Sequence, residues 1–209
     1  MQKQFQRRTL LTTLAAAASG LFTARASAAL VHTPPQTEGP FYPRERDMPS
    51  DRDNDLVRIK GKVTDAGGEI LHLHGDVRRE DGSPVKGARV EIWQCDANGS
   101  YLHGGARSRS KPRDDAFQGF GFTVTDDAGN YDFRTIKPVA YPGRTPHIHA
   151  KVITPDGTEL TTQFYVADDP QNQRDGIYMS MPKVARDSVT GRPKRRADGE
   201  LEMQIRIVV

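Results

Sequence analysis

Cysteine is nearly absent: Cys95 is the only one among 209 residues. An internal disulfide is therefore excluded, and a domain of this size must hold together through its core. No apolar run beyond residue 28 approaches bilayer-spanning length, so no membrane insertion is expected in the mature form. A long apolar stripe at helical spacing is missing too, which argues against an α/β fold. Aromatic residues make up 7% of the chain, so the places where they gather are informative. An excess of basic charge is also lacking once the first 28 residues are set aside. That segment holds Lys3, Arg7, Arg8 and Arg25 and no acid, so its removal leaves 26 of the 30 basic residues against 27 acidic ones. Such a balance gives no reason to expect nucleic acid as a partner.

Residues 1–28 have the build of an export signal. Arg7-Arg8 precede Thr9-Leu10-Leu11, an apolar run continues to about Phe22, and Ala26-Ser27-Ala28 supplies a small-x-small cleavage pattern. Paired arginines just before Leu-Leu resemble a twin-arginine signal, so the mature protein is expected in the periplasm. That route resembles the one taken by proteins folded around a cofactor before export, which fits a disulfide-free metalloprotein. Residues 29–55 are rich in proline and charge and read as an extended N-terminal arm. The aromatics of Gln36-Thr37-Glu38-Gly39-Pro40-Phe41-Tyr42-Pro43 would be odd in a free linker. The arm is therefore expected to pack onto the domain or onto a neighbouring subunit.

Residues 56–209 alternate short β-type runs with turn signals such as Asp81-Gly82, Asn98-Gly99, Ala128-Gly129 and Asp156-Gly157. Expected strands are Leu56–Thr64, Glu69–Val77, Ala88–Cys95, Gly119–Thr125, Asn130–Ile136, His147–Thr154, Thr161–Val166 and Met203–Val209. The pattern predicts an all-β fold, an antiparallel β-sandwich of about eight strands with long loops. Cys95 reads as a buried strand residue, and Arg192-Pro193-Lys194-Arg195-Arg196 as a solvated loop.

The stretch Tyr141-Pro142-Gly143-Arg144-Thr145-Pro146-His147-Ile148-His149 carries the chemistry. Alternate residues on a strand share a face, so His147 and His149 can converge on one metal ion. Tyr141 and Arg144 lie just upstream on a Pro/Gly loop, and Tyr101 follows a strand and a turn. A phenolate is a hard anionic donor that favours a hard, highly charged ion. Two phenolates and two neutral imidazoles suit Fe³⁺, whose charge is needed to ionise a tyrosine near neutral pH. Alone, such histidines and tyrosines are ordinary strand and surface residues. His72 and His74 form a second His-x-His without an evident anionic neighbour and read as strand residues; His103 stands close enough to Tyr101 in sequence to lie beside the site.

Taken together, the motifs resemble the intradiol ring-cleavage dioxygenases, the family of protocatechuate and catechol dioxygenases. The matching pieces are Thr37–Pro43, Gly87–Gln94, Asn98–Tyr101, Gly129–Pro138 and Tyr141–His149. The resemblance implies Tyr101, Tyr141, His147 and His149 as ligands of a ferric ion. It implies that Tyr141 takes up a substrate proton, that Arg144 stabilises negative charge, and that Gln163 stands near the oxygen pocket. Thr37, Gly39 and Pro40 would help to line the substrate site. The implied partners are a small aromatic diol and O₂, in a chain that could form a homo-oligomer. Gly143 stands where protocatechuate enzymes resemble one another in having tryptophan, and the loop to His147 is short, so a more open pocket is expected. Two other readings compete: a transthyretin-like binding module without catalysis, and a His/His/carboxylate Fe²⁺ site completed by Asp132 or Glu38.

Overall fold

Along Ile148–Val152, apolar residues alternate with His147, His149 and Lys151, and on a strand the two sets must face opposite ways. In the computed structural model, which describes residues 29–102 and 112–209, Ile148, Ala150 and Val152 enter the main core. The histidines and Lys151 face the N-terminal arm instead: Gly39 lies against the His149 ring, and Lys151 reaches Glu38 at 3.5 Å. One sheet thus has two buried faces, one for stability and one for chemistry.

That sheet runs in the order β3 (Phe120–Val124), β2 (Arg89–Trp93), β5 (His147–Ile153), β6 (Glu159–Val166) and β7 (Thr190–Gly191). The opposing sheet is built on β1 (Ile70–Arg78), which pairs with β4 (Asn130–Ile136), β9 (Leu201–Gln204) and β10 (Ile207–Val208); β8 (Lys194–Arg195) extends it beyond β9. Leu71, Leu73, Phe133 and Met203 of one sheet meet Val90, Ile92, Ile148 and Phe164 of the other. Each such buried side chain contributes roughly 1.5–3 kcal/mol. Two short helices, α1 (Gly176–Ser180) and α2 (Lys183–Ser188), follow β6. No helix among the described residues is long and apolar enough to cross a membrane.

The β-sandwich is as expected, but its sheets are mixed rather than wholly antiparallel. β7 runs parallel to β6, and β9 and β10 run parallel to β1. All three parallel segments lie beyond residue 189 and return after long connections, whereas turn signals report only hairpin partners. The expected strand Leu56–Thr64 does not form. Leu56 and Val57 are buried, but Asp55 Oδ1 accepts the amides of Val57 and Arg58, so side chain replaces ladder and the chain turns. The expected Met203–Val209 strand is broken into β9 and β10. Of the basic cluster, Arg192, Arg195 and Arg196 are paired with Asp168, Glu69 and Asp198.

The arm crosses both sheets of its own chain. Thr33 bonds Val208 of β10 through both its amide and its hydroxyl, and the Gln36 amide donates to Thr161 O on β6. Further on, Tyr42 Oη donates to Glu91 at 2.8 Å and its ring meets Trp93 edge-on. Residues 1–28 and His103 lie outside the described residues.

Candidate metal centre

Strand register sets the floor of the site: Trp93 of β2, His149 of β5 and Gln163 of β6 stand in one row, with His147 beside Tyr165 in the next. The Trp93 and His149 rings stack at 4.9 Å with an 8° tilt. Both histidines are 1% exposed, and their Nε2 atoms face one another at 3.2 Å. Tyr101 is returned to this floor by a turn in which Asp96 Oδ1 accepts the amides of Asn98 and Ser100. Its ring, 2% exposed, stacks on Phe41 of the arm at 4.3 Å and lies 5.6 Å from that of Tyr141. Tyr141 in turn lies 5.4 Å from the His147 ring, in a turn closed by Arg144 N donating to Tyr141 O at 3.0 Å. Two phenols and two imidazoles therefore enclose one spot.

Their protonation is set by burial. Desolvation, with Arg144 adding to it, holds His147 down at about 4, and desolvation with His147 and Arg144 keeps His149 well below its ordinary value. Both rings are neutral at physiological pH. His147 Nδ1 lies 2.7 Å from Thr145 O, which fixes the proton on Nδ1 and leaves a lone pair on Nε2. Burial raises Tyr101 well above the usual phenol range; it also raises Tyr141, although Arg144 counteracts it there. Arg144 is held by Nε to Asp175 at 2.8 Å and by Nη2 to Gln163 Oε1 at 2.6 Å, with Nη1 3.4 Å from Tyr141 Oη.

The Dioxygenase family model matches residues 37–208, nearly the whole of the described domain. The chain belongs to the intradiol ring-cleavage dioxygenases. It is similar to the protocatechuate 3,4-dioxygenase beta chain of Burkholderia cepacia, 38% identical over 148 residues that cover 67% of this chain and 63% of the relative. It is 31% identical over 166 residues to a catechol 1,2-dioxygenase of Candida albicans, covering 70% of this chain and 51% of that one. The chain thus spans between about half and two thirds of these curated relatives. Among solved structures, the dioxygenase domain of a dioxygenase carbohydrate-binding protein fusion from Streptomyces sp. SirexAA-E superposes with a TM-score of 0.65 at 27% identity, covering 86% of this chain and 98% of that one.

The donor set of this family member fits a hard trivalent ion. Among the described residues the buried Tyr101 Oη has no well-formed hydrogen bond, only the neighbouring Tyr141 phenol within weak reach, which leaves it open to a cation. Two nitrogens each about 2.1 Å from a common ion, a usual imidazole–metal distance, and 3.2 Å apart subtend roughly 100° there. No three His, Cys, Asp or Glu side chains cluster among the described residues. A His/His/carboxylate centre is therefore not assembled: Asp132 lies on β4 in the opposite sheet, bonded to Asn54, and Glu38 meets Lys151. His72 and His74 also lie on the opposite sheet, His72 against Glu200. Cys95 is buried just beyond β2, and desolvation pushes its thiol to about 12, which makes it inert.

The arm residues are placed unequally. Thr37 contributes its carbonyl, which accepts from Gln163 Nε2 at 3.0 Å, while its side chain is exposed. Gly39, at φ +71°, passes so close to His149 that an added Cβ would touch the ring at 3.7 Å. Pro40 is exposed. Gly143 borders a groove of about 340 Å³ that Arg144, Arg174 and Asp175 also line. Sequence reasoning missed Asp175, whose only local signal is its position as a helix N-cap ahead of Gly176-Ile177.

Proposed function

We propose that this protein is a non-haem Fe(III) dioxygenase that cleaves a catechol-type ring between its two hydroxylated carbons. Both atoms of O₂ enter the product, a cis,cis-muconate-type dicarboxylate. The observation that carries this reading is the convergence of two phenols and two neutral imidazoles on one buried spot in an intradiol family member. Tyr101, Tyr141, His147 and His149 would hold a ferric ion, which when bound would supply the Lewis acidity for activating a catechol toward O₂. Electrons for reducing O₂ come from the ring whose C–C bond breaks, so no reductant is required.

The remaining work belongs to side chains. Tyr141, half-buried beside a guanidinium, would accept a catechol proton at Oη. Tyr101 would stay a phenolate only through the ion's charge, which offsets the burial that disfavours it. Arg144 offers a fixed positive charge where negative charge builds on the ketonised substrate. Gln163 holds Nη2 of that arginine, and Gly39 closes the pocket over His149. The groove beside Gly143 supports a more open substrate site. An export signal in residues 1–28 would direct the protein to the periplasm, and similarity to relatives named as alpha and beta chains supports assembly, here as a homo-oligomer. Mass spectrometry of the mature N-terminus and light scattering test these two points.

Purified mature protein should contain one iron per chain and show a broad visible phenolate–Fe(III) band that moves to longer wavelength when catechol is added without oxygen. Admitting isotopically labelled O₂ should then place both label atoms in the ring-opened acid. Colourless, iron-free protein would overturn the proposal and leave an exported, transthyretin-like binding module.

A further inference from the structure

We propose that Asp175 is a positioning residue for this chemistry, one buried carboxylate that fixes Arg144 directly and His147 through Thr145. The proposal rests on the reaction assigned above. Asp175 has a fully buried side chain. Its Oδ2 accepts from Arg144 Nε at 2.8 Å and from Thr145 N at 2.9 Å. Its Oδ1 accepts from Ile177 N at 2.9 Å and Tyr178 N at 3.0 Å, capping α1. Both oxygens are therefore fully used, one for the helix and one for the loop that precedes His147.

Thr145 passes this constraint on. Its amide is held by Asp175, its hydroxyl donates to Asn172 Oδ1 at 2.7 Å, and its carbonyl faces His147 Nδ1 at 2.7 Å. The carbonyl that selects the metal-binding tautomer of His147 is thus pinned by residues 172 and 175, neither of which reaches the metal spot. Arg144 is pinned from the same place. Its Nε and Nη2 are taken by Asp175 and Gln163, so the guanidinium plane is set and Nη1 is presented to Tyr141. Lysine offers a compact ammonium without the planar fork, so it cannot reproduce the three fixed positions that Nε, Nη1 and Nη2 occupy here.

Asp175→Asn isolates this function. Asparagine caps helices as well as aspartate does, so α1 keeps its acceptor. The amide NH₂ would then oppose the N–H groups of Arg144 and Thr145, donor against donor. In metal-free protein, the Arg144 Nε–H resonance, assigned by its loss in Arg144→Lys, should exchange slowly with water. In Asp175→Asn that protection should vanish while the Ile177 and Tyr178 amides remain protected. In the iron-loaded enzyme, kcat should fall by about 100-fold, the scale of losing one charge-stabilising donor. KM should move less than about threefold, and adding Arg144→Lys to Asp175→Asn should cost little more.

Freely exchanging Arg144 Nε–H in the wild-type protein would overturn the proposal, and that measurement needs no variant to fold. Retained protection in Asp175→Asn, or additive losses in the double variant, would overturn it as well. A wild-type protein that cleaves no catechol would instead sink the assigned reaction, and the exchange measurement on metal-free protein would still decide what Asp175 holds.

Discussion

Tyr101 brings its hydroxyl to a place where, among the described residues, only the Tyr141 phenol comes near and no well-formed hydrogen bond is made. An unsatisfied buried hydroxyl costs about 1–3 kcal/mol, so the metal-free fold carries a strain that a cation relieves. Tyr101→Phe should therefore be at least as stable as wild type when both are stripped of metal, by about 1 kcal/mol, yet lose the visible band and most of the bound iron. Urea denaturation of chelator-treated protein checks the first half and iron analysis the second. Clear destabilisation of the metal-free variant would mean the hydroxyl has a partner. Much of the site could be read from residue identities, because His147, His149 and Tyr141 sit within one short stretch and Tyr101 belongs to a recognisable segment. Asp175 could not be read in this way. It is 31 residues from Arg144, and only tertiary structure turns a helix cap into a guanidinium anchor.

Elements were legible wherever alternation is clean, even where the partner strand is distant, as for β4 beside β1. β4, β5 and β6 fall where alternation places them, and the β5–β6 register follows from a tight Pro155-Asp156-Gly157 turn. The C-terminal crossing was not legible, and Gly75 shows why it exists at all. β9 and β10 are separated by Ile205 and Arg206; Ile205 N donates to His74 O at 3.0 Å, and Ile205 O accepts from Tyr131 Oη at 2.7 Å. A Cβ on Gly75 would drive into that carbonyl backbone, with the Tyr131 hydroxyl also too close. Glycine in a strand interior ordinarily weakens it, and here it admits a close backbone approach. Gly75→Ala should displace the C-terminal strands from β1 and destabilise the fold by more than about 3 kcal/mol, the scale of severe overpacking. The expected result is insoluble expression or a strongly lowered Tm. A variant with wild-type Tm would show that the crossing can shift without loss.

The whole molecule separates stability from chemistry by sheet face, and one part of its acid sensitivity should come from outside the site. Asp76, at the end of β1, is nearly buried between two arginines: Arg206 Nε donates at 2.7 Å and Nη2 at 3.0 Å, and Arg78 Nε at 2.8 Å. Burial alone would raise this carboxyl, but the hydrogen bonds from Arg206 and Arg78 outweigh it and hold it below its ordinary value. A depressed folded-state pKa means stability that is complete above the unfolded value, about 3.9, and lost as pH falls through the lower, folded value. Hydrogen bonds to charged groups contribute about 1.5–3 kcal/mol, so Asp76→Asn should cost about 2 kcal/mol at pH 7. That gap should hold at about pH 5 and narrow below pH ~4, where wild-type Asp76 is itself becoming neutral. Urea midpoints at neutral and acid pH measure it directly. An undiminished gap at the lowest pH would mean that shape, rather than charge, ties the C-terminus to β1. The buried imidazoles of the site add a separate acid sensitivity: the unfolded chain charges them from about pH 6.5 downward while burial holds His147 at about 4. That loss is common to wild type and Asp76→Asn and cancels from the gap between them. Asp76 lies on β1, in the sheet that carries none of the four candidate ligands, so Asp76→Asn protein at pH 7 should retain a full complement of iron for as long as it stays folded.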